Sequence, residues 1–270
     1  MTKVELVFSD IDGTLLNSKH EVTAEASQII QELLKQGTKI ILASARPPGA
    51  MVSIADEVRL SSPLVCFNGA LITQYTEGSF DDLYSLTLER LDALQLYQTI
   101  STKFPEISFN IYSSERWYVE QEDEWVKQEA AITKMDPESI SMEYFLKEHL
   151  PVHKILCMGN PDDIQKLEDE LARANLSNIS YYRSKDTYME IVNNQVSKLG
   201  ALHFLCEKYG VALANTLAIG DNFNDMPMIM HAGKGIAMGN APDEVKQAAD
   251  CVTDTNDENG FYKALAMSLG

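Results

Sequence analysis

The sequence has no cysteines placed to pair. Its four, Cys66, Cys157, Cys206 and Cys251, are widely spaced, form no C-x-x-C motif and sit among apolar residues. They read as reduced core residues, and the five histidines add no zinc-type pairing to them. No apolar run approaches the roughly 18 residues that a membrane-spanning helix needs. The start, Met1-Thr2-Lys3-Val4-Glu5, lacks the long apolar stretch and small-residue cleavage site of a secretory leader. A cytoplasmic location is therefore expected. Basic residues are scarce: 22 lysines and arginines stand against 40 acids, a net charge of -18. So acidic a surface repels a phosphate backbone, so neither nucleic acid nor a membrane is an expected partner. A small anionic ligand stays open, because a local cation or a helix N-terminus overrides a distant field at close range.

What is present describes a folded chain. The 270 residues are 45% hydrophobic and 23% charged, enough for one large domain or two unequal ones. Repeats and low-complexity stretches are missing. Four short apolar runs each lead into a small polar or acidic residue. Val4 to Phe8 leads into Ser9-Asp10, and Lys39 to Ala43 into Ser44. Leu64 to Phe67 leads into Asn68-Gly69, and Thr216 to Ile219 into Gly220-Asp221. Runs this short and apolar on both faces read as buried parallel strands. Amphipathic helices are expected at Thr23 to Lys35, Ser197 to Tyr209 and Pro242 to Ala249, the first two stopped by Gly37 and Gly210. Strand alternating with helix gives an α/β fold: a Rossmann-like parallel sheet with helices on both faces. Ligands of such sheets bind outside the carboxyl ends of the strands, where all four polar residues converge.

The middle of the chain reads differently. Two helix-then-strand units, Leu91 to Lys103 with Ile107 to Tyr112 and Asp162 to Ala174 with Ile179 to Tyr182, flank the strand Val152 to Met158. They suggest a separate small α/β domain, inserted and not appended. The expected division is a core of residues 1–82 and 187–270 and an insertion of residues 83–186.

The residues with chemical potential lie at the strand ends. Asp10-Ile11-Asp12-Gly13-Thr14 sets two carboxylates on one side of an extended chain, followed by a glycine turn. Two acids so close suit two jobs, a nucleophile or metal ligand and a general acid/base; an acidic turn is the plainer reading. Ser44 can donate to a phosphoryl oxygen or merely cap a helix. Arg46 can meet an anion or lie on the surface. Lys198 opens a helix just after Ser197, a good place for an anion site. Gly220-Asp221-Asn222-Phe223-Asn224-Asp225 brings Asp221 and Asp225 together if a helix begins there, and such hard oxygens suit Mg²⁺.

In order, these motifs resemble the four signatures of the haloacid dehalogenase-like hydrolase superfamily, most closely its Cof-type phosphatases: D-x-D-G-T, a Ser/Thr after the second strand, a lysine, then G-D-x-x-N-D. Asn68-Gly69-Ala70, Ala237-Met238-Gly239-Asn240-Ala241 and Asp257-Glu258-Asn259-Gly260 look like further segments of that family. The resemblance implies a C2-type cap domain in the insertion and a small phosphorylated metabolite as substrate. It implies Asp10 as nucleophile, Asp12 as acid/base, and Ser44 and Lys198 on the phosphoryl oxygens. It also implies Arg46, Asn68, Gly69 and Asn224 on the substrate, and Mg²⁺ held by Asp10, Asp12, Asp221 and Asp225. One departure is Ser44-Ala45-Arg46 where the family often has Thr-Gly-Arg, which touches the placing of Arg46. Two other functions fit the same residues. A phosphomutase needs a second, basic phosphate site in the insertion, where lysines and arginines are scattered. A non-catalytic regulator that binds a phosphorylated ligand has no need of both Asp10 and Asp12.

Overall fold

The structure is a computed structural model that describes residues 3–148, 150–174 and 176–267. Met1 and Thr2, part of the stretch read above for a leader, lie outside the described residues. The chain divides into two compact units, one of Met1–Leu83 with Ser197–Gly270, the other of Tyr84–Val196.

The first unit is built on an eight-stranded sheet. Its order is Cys251–Val252, Lys234–Ala237, Thr216–Gly220, Leu6–Asp10, Lys39–Ala43, Leu64–Cys66, Leu71–Thr76, Ser79–Ser85. The first six strands are parallel, and Leu71–Thr76 runs antiparallel to Leu64–Cys66. The two central strands, Leu6–Asp10 and Thr216–Gly220, are buried at every residue. That burial is why their sequences are continuously apolar and not alternating. Helices lie on both faces. Ala24–Lys35 packs with Gly260–Ala266, and Lys198–Tyr209 packs with Met226–His231, which in turn meets Asp243–Ala248.

The helix starts follow local chemistry. The Thr23 hydroxyl accepts from the Ala26 amide, and the Ser197 hydroxyl accepts from the Gly200 amide, so each serves as N-cap. Gly210 closes its helix in the left-handed region at φ 65. Strand ends coincide with the motif residues. Asp10 pairs in register with Ala43, the residue before Ser44, and Gly220, the residue before Asp221, pairs with Ala237. Parallel pairing therefore delivers Asp10, Ser44 and Asp221 to one edge.

The second unit carries a six-stranded sheet in the order Ile179–Lys185, Tyr188–Asn193, Lys154–Met158, Ser108–Ser113, Arg116–Val119, Glu138–Ser139. All its pairs are antiparallel except the last. One face buries Ile111, Ile155, Cys157, Met189 and Ile191 against Leu96, Ile100, Phe145, Ile164 and Leu167 from the helices. The two helix-then-strand units of the sequence are present as Arg90–Lys103 with Ser108–Ser113 and Pro161–Ala174 with Ile179–Lys185. The strand Tyr188–Asn193 completes a hairpin with Ile179–Lys185, so this unit runs on to Val196 where the sequence pattern divided the chain after Asp186.

Candidate active site

Lys198 is the first residue of its helix, and its side chain has no exposed surface. Its ammonium donates to Asp10 Oδ1 and, at 2.6 Å, to Asp225 Oδ1. Burial alone lowers a lysine pKa, but these two carboxylates more than offset it and hold the charge. Burial raises the proton affinity of Asp10 well above the usual carboxylate range; Lys198 opposes this, while Asp225 and Asp221 add to it.

Asp221 follows the last central strand and is partly exposed. Its Oδ1 accepts from Thr14 Oγ1 at 3.0 Å, and its Oδ2 from Asn240 Nδ2 at 3.3 Å. Burial, then the nearby Asp225, push its pKa up to about 6. Gly13 is required here on two counts. Its φ of +83 lies in the left-handed region, and a Cβ would stand 2.4 Å from Asp221 Oδ2.

The sequence placed Asp221 and Asp225 four apart on a helix start. In the structure residues 221–225 form a turn, and the helix begins only at Met226. Asp225 turns back on this turn. Its Oδ2 accepts from the amides of both Asp221 and Asn222 at 3.0 Å, while Oδ1 takes Lys198. Both oxygens are thus engaged, and Asp225 fixes the loop and the lysine.

Carboxylate oxygens of Asp10, Asp221 and Asp225 lie within 4.8 Å of one another. Burial first, and then three carboxylates facing one ammonium, raise the proton affinities of Asp10 and Asp221 and leave an excess of negative charge. A divalent cation relieves that excess, and an all-oxygen donor set fits a hard one. Each of the three carboxylates offers such an ion one oxygen, and Asp225 also holds Lys198 and two amides of its own turn.

Asp12 faces another way. Its carboxylate accepts two bonds from Arg46, Nε to Oδ2 at 2.9 Å and a terminal nitrogen to Oδ1 at 2.6 Å. The bond to Asp12 in turn strengthens the hold of Arg46 on its proton. His20 Nδ1 is 3.9 Å from Asp12 Oδ1.

The loops after the second and third strands are tied together. The Phe67 amide donates to the Arg46 carbonyl at 3.2 Å, and the Asn68 amide to the Ser44 carbonyl at 2.8 Å. Phe67, Asn68 and Gly69 are all left-handed, at φ 51, 57 and 106. Backbone strain of this kind persists only where the surroundings over-determine it. Ser44 is buried and its hydroxyl accepts from the Arg46 amide. Asn68 Oδ1 accepts from Asn224 Nδ2 at 3.0 Å. Gly69 sits against the lysine helix, where a Cβ would stand 2.5 Å from the Ser197 carbonyl oxygen.

The expected site residues thus fall into three linked groups: Asp10, Lys198, Asp221 and Asp225; Asp12 with Arg46; and Ser44 beside Asn68, Gly69 and Asn224. Residue-by-residue reading gave no role to Thr14, Asn240 or Asn256. Asn240 Nδ2 also donates to the Gly13 carbonyl, its Oδ1 accepts from the Asn256 amide, and Asn256 Nδ2 donates to the Leu16 carbonyl. The signals were the threonine closing D-x-D-G-T and the segment Met238-Gly239-Asn240. In the second unit Arg183 donates to Gln165 and Lys185 lies over the Tyr188 ring.

A family model of haloacid dehalogenase-like hydrolases matches residues 7–265. A 5-amino-6-(5-phospho-D-ribitylamino)uracil phosphatase of Bacillus subtilis is 29% identical over 265 residues, covering 97% of this chain and 94% of its own. A further Bacillus subtilis phosphatase is 27% identical over 291 residues, covering 98% and 100%. Among solved structures, a haloacid dehalogenase-like hydrolase from Bacteroides thetaiotaomicron is 32% identical with a TM-score of 0.87, covering 98% of this chain and 99% of that one. The sheet with acids at its carboxyl edge, the inserted unit and these likenesses agree, and the chain belongs to the haloacid dehalogenase-like hydrolase family, as a phosphoric monoester hydrolase.

Proposed function

We propose that the protein is a magnesium-dependent phosphatase of small phosphate monoesters, a sugar phosphate or similar metabolite, working through an aspartyl phosphate on Asp10. The observation that carries this reading is the seating of Asp10: at a parallel-strand end, against the buried ammonium of Lys198, beside Asp221.

In the first step an Asp10 oxygen attacks phosphorus as the bond to the leaving oxygen breaks, and Asp12 gives that oxygen a proton. In the second, Asp12 takes a proton from a water that attacks the same phosphorus, releasing inorganic phosphate and restoring Asp10. Charge spreads over the phosphoryl oxygens in both steps, so fixed donors matter most; Ser44 and Lys198 supply them. The carboxylates of Asp10 and Asp221 and the backbone carbonyl of Asp12 would hold Mg²⁺, which when bound neutralises phosphoryl charge and orients the group for in-line attack. Asp225 keeps Lys198 and the Asp221 turn in place. Asn68, Gly69 and Asn224 form the part of the core that meets the substrate.

The inserted unit selects the ester, a role supported by its place in the chain between Ser44 and Lys198. The Bacillus relative named for a ribityl phosphate supports a phosphorylated alcohol as the substrate class. Four free cysteines suit a reducing cytoplasm. The test is inorganic phosphate release from a panel of esters, with Mg²⁺ and with chelator, for wild type and Asp10→Asn. Release that needs both Mg²⁺ and Asp10 supports the reading. Release unaffected by either refutes it.

A further inference from the structure

Asp12 is the proton carrier of the proposed reaction, and its side chain is 42% exposed. A carboxylate so placed samples several rotamers unless something holds it, and proton transfer demands a narrow geometry. Among the described residues His20 only approaches it, at 3.9 Å, and Arg46 is the one that hydrogen-bonds it. Arg46 grips both oxygens at once, at 2.9 and 2.6 Å, in the two-point fork that fixes a carboxylate in position and in rotation together. Arg46 is itself held. Its amide donates to the Ser44 hydroxyl and its carbonyl accepts from Phe67, within the left-handed Phe67-Asn68-Gly69 segment. The rigid Ser44–Asn68 corner therefore reaches Asp12 through a single guanidinium.

The geometry points to Arg46 as a positioning residue for Asp12, acting through that carboxylate and not as a ligand of the substrate phosphate, the role its family resemblance gives it. This rests on the phosphatase reading of the site. In the transfer step the P–O bond to the leaving group breaks, the P–O bond to Asp10 forms, and the Asp12 proton goes to the leaving oxygen. Arg46 exchanges no proton. It fixes where Asp12 stands when the leaving oxygen needs one.

Leaving-group chemistry separates the two roles. An alkoxide leaves only with a proton, whereas a nitrophenolate leaves without one. A residue that positions the acid therefore matters for an alkyl ester far more than for p-nitrophenyl phosphate. A residue that grips the phosphoryl group matters for both alike. Arg46→Lys keeps the positive charge and removes the fork.

The experiment measures kcat and KM of wild type, Arg46→Lys, Asp12→Asn and the double variant on p-nitrophenyl phosphate and on a simple alkyl phosphate. Thermal melting selects variants that keep the fold. The expected result is that Arg46→Lys lowers the alkyl-to-aryl ratio of kcat/KM, which reports the transfer step and not the hydrolysis that both esters share, by about tenfold or more, part of the roughly 10²–10⁴-fold that positioned acid–base groups supply. KM stays nearly constant. In the Asp12→Asn background the same substitution leaves the ratio where it was, because the group it acts through is gone. Equal losses on both esters with raised KM, persisting in the Asp12→Asn background, overturn the proposal and make Arg46 a phosphate ligand. Wild-type enzyme that releases phosphate from neither ester overturns the phosphatase reading itself, and this proposal with it.

Discussion

Lys198 buries its whole side chain to bring one ammonium between Asp10 and Asp225. Removing one partner of such a cluster leaves uncompensated buried charge, at about 3–5 kcal/mol. Lys198→Met should lose about that much stability in metal-free denaturant unfolding; an unchanged midpoint would show that the carboxylates find another partner. Asp10→Asn acts in the opposite sense. Burial disfavours the Asp10 charge, so the isosteric amide should melt no lower than wild type without metal while phosphate release falls to background. Asp221 gives the pH dependence. Its folded value of about 6 lies above its ordinary 3.8, so the folded state binds the proton more tightly. The metal-free protein therefore loses stability as pH rises from about 4 through about 6. A Mg²⁺ ion held by Asp221, as proposed, would compete with that proton, so its stabilising effect in thermal melts should be full near neutral pH and shrink below about pH 6. A pH-independent shift would count against Asp221 as a ligand. At this scale the sequence was most legible where the geometry is local. Asp10 and Asp221 follow their strands as expected, whereas Asp12, expected on the same side as Asp10, lies past the end of the strand and pairs with Arg46. That both oxygens of Asp225 are spoken for, or that Arg46 faces Asp12, depends on loops meeting across the sheet edge, and no spacing in the sequence encodes it.

Between residues and the whole lie the loops at the sheet edge. Asn240 and Asn256 tie three of them together: the Gly13 turn, the Asp221 turn and the segment before the last helix. Partners that orient a metal ligand commonly account for about 10–100-fold in metal affinity. Asn240→Ala should raise the Mg²⁺ concentration for half-maximal binding, read by calorimetry, by a factor in that range; an unchanged affinity would make the relay purely architectural. Strands and capped helices of the first unit were readable because continuous apolar runs, Thr23, Ser197 and Gly210 are strong local signals. The second unit was read less fully. Helix Glu124–Thr133 went unread because the largely exposed acidic stretch Glu120-Gln121-Glu122-Asp123-Glu124 that leads into it carries no apolar periodicity. In the structure Asp123 caps that helix and Glu120 accepts from Tyr97. The strand Tyr188–Asn193 was missed because its pairing with Lys154–Met158 and Ile179–Lys185 is set by tertiary contact.

Across the molecule, a charge of -18 works against an anionic substrate until it reaches the local donors. Screening weakens that repulsion, so kcat/KM for a phosphate ester should rise as ionic strength goes from about 0.01 M to about 0.15 M. A steep fall over that range would indicate attractive steering by a basic surface, contrary to the charge balance. The two-unit plan was legible because insertion leaves a mark: strand patterns of one sheet stand on both sides of a segment with its own helix-and-strand rhythm. The end of the segment was not, since the pattern changes inside a hairpin.

The central claim is covalent: phosphorus passes through Asp10. It is tested most directly by acid-quenching the enzyme during turnover with Mg²⁺, reducing with borohydride and mapping the peptides by mass spectrometry. Borohydride converts an acyl phosphate to the alcohol, so the account predicts homoserine at position 10, formed only with substrate present and absent in Asp10→Asn. Turnover with Asp10 left unmodified, or with the label on another residue, would contradict it.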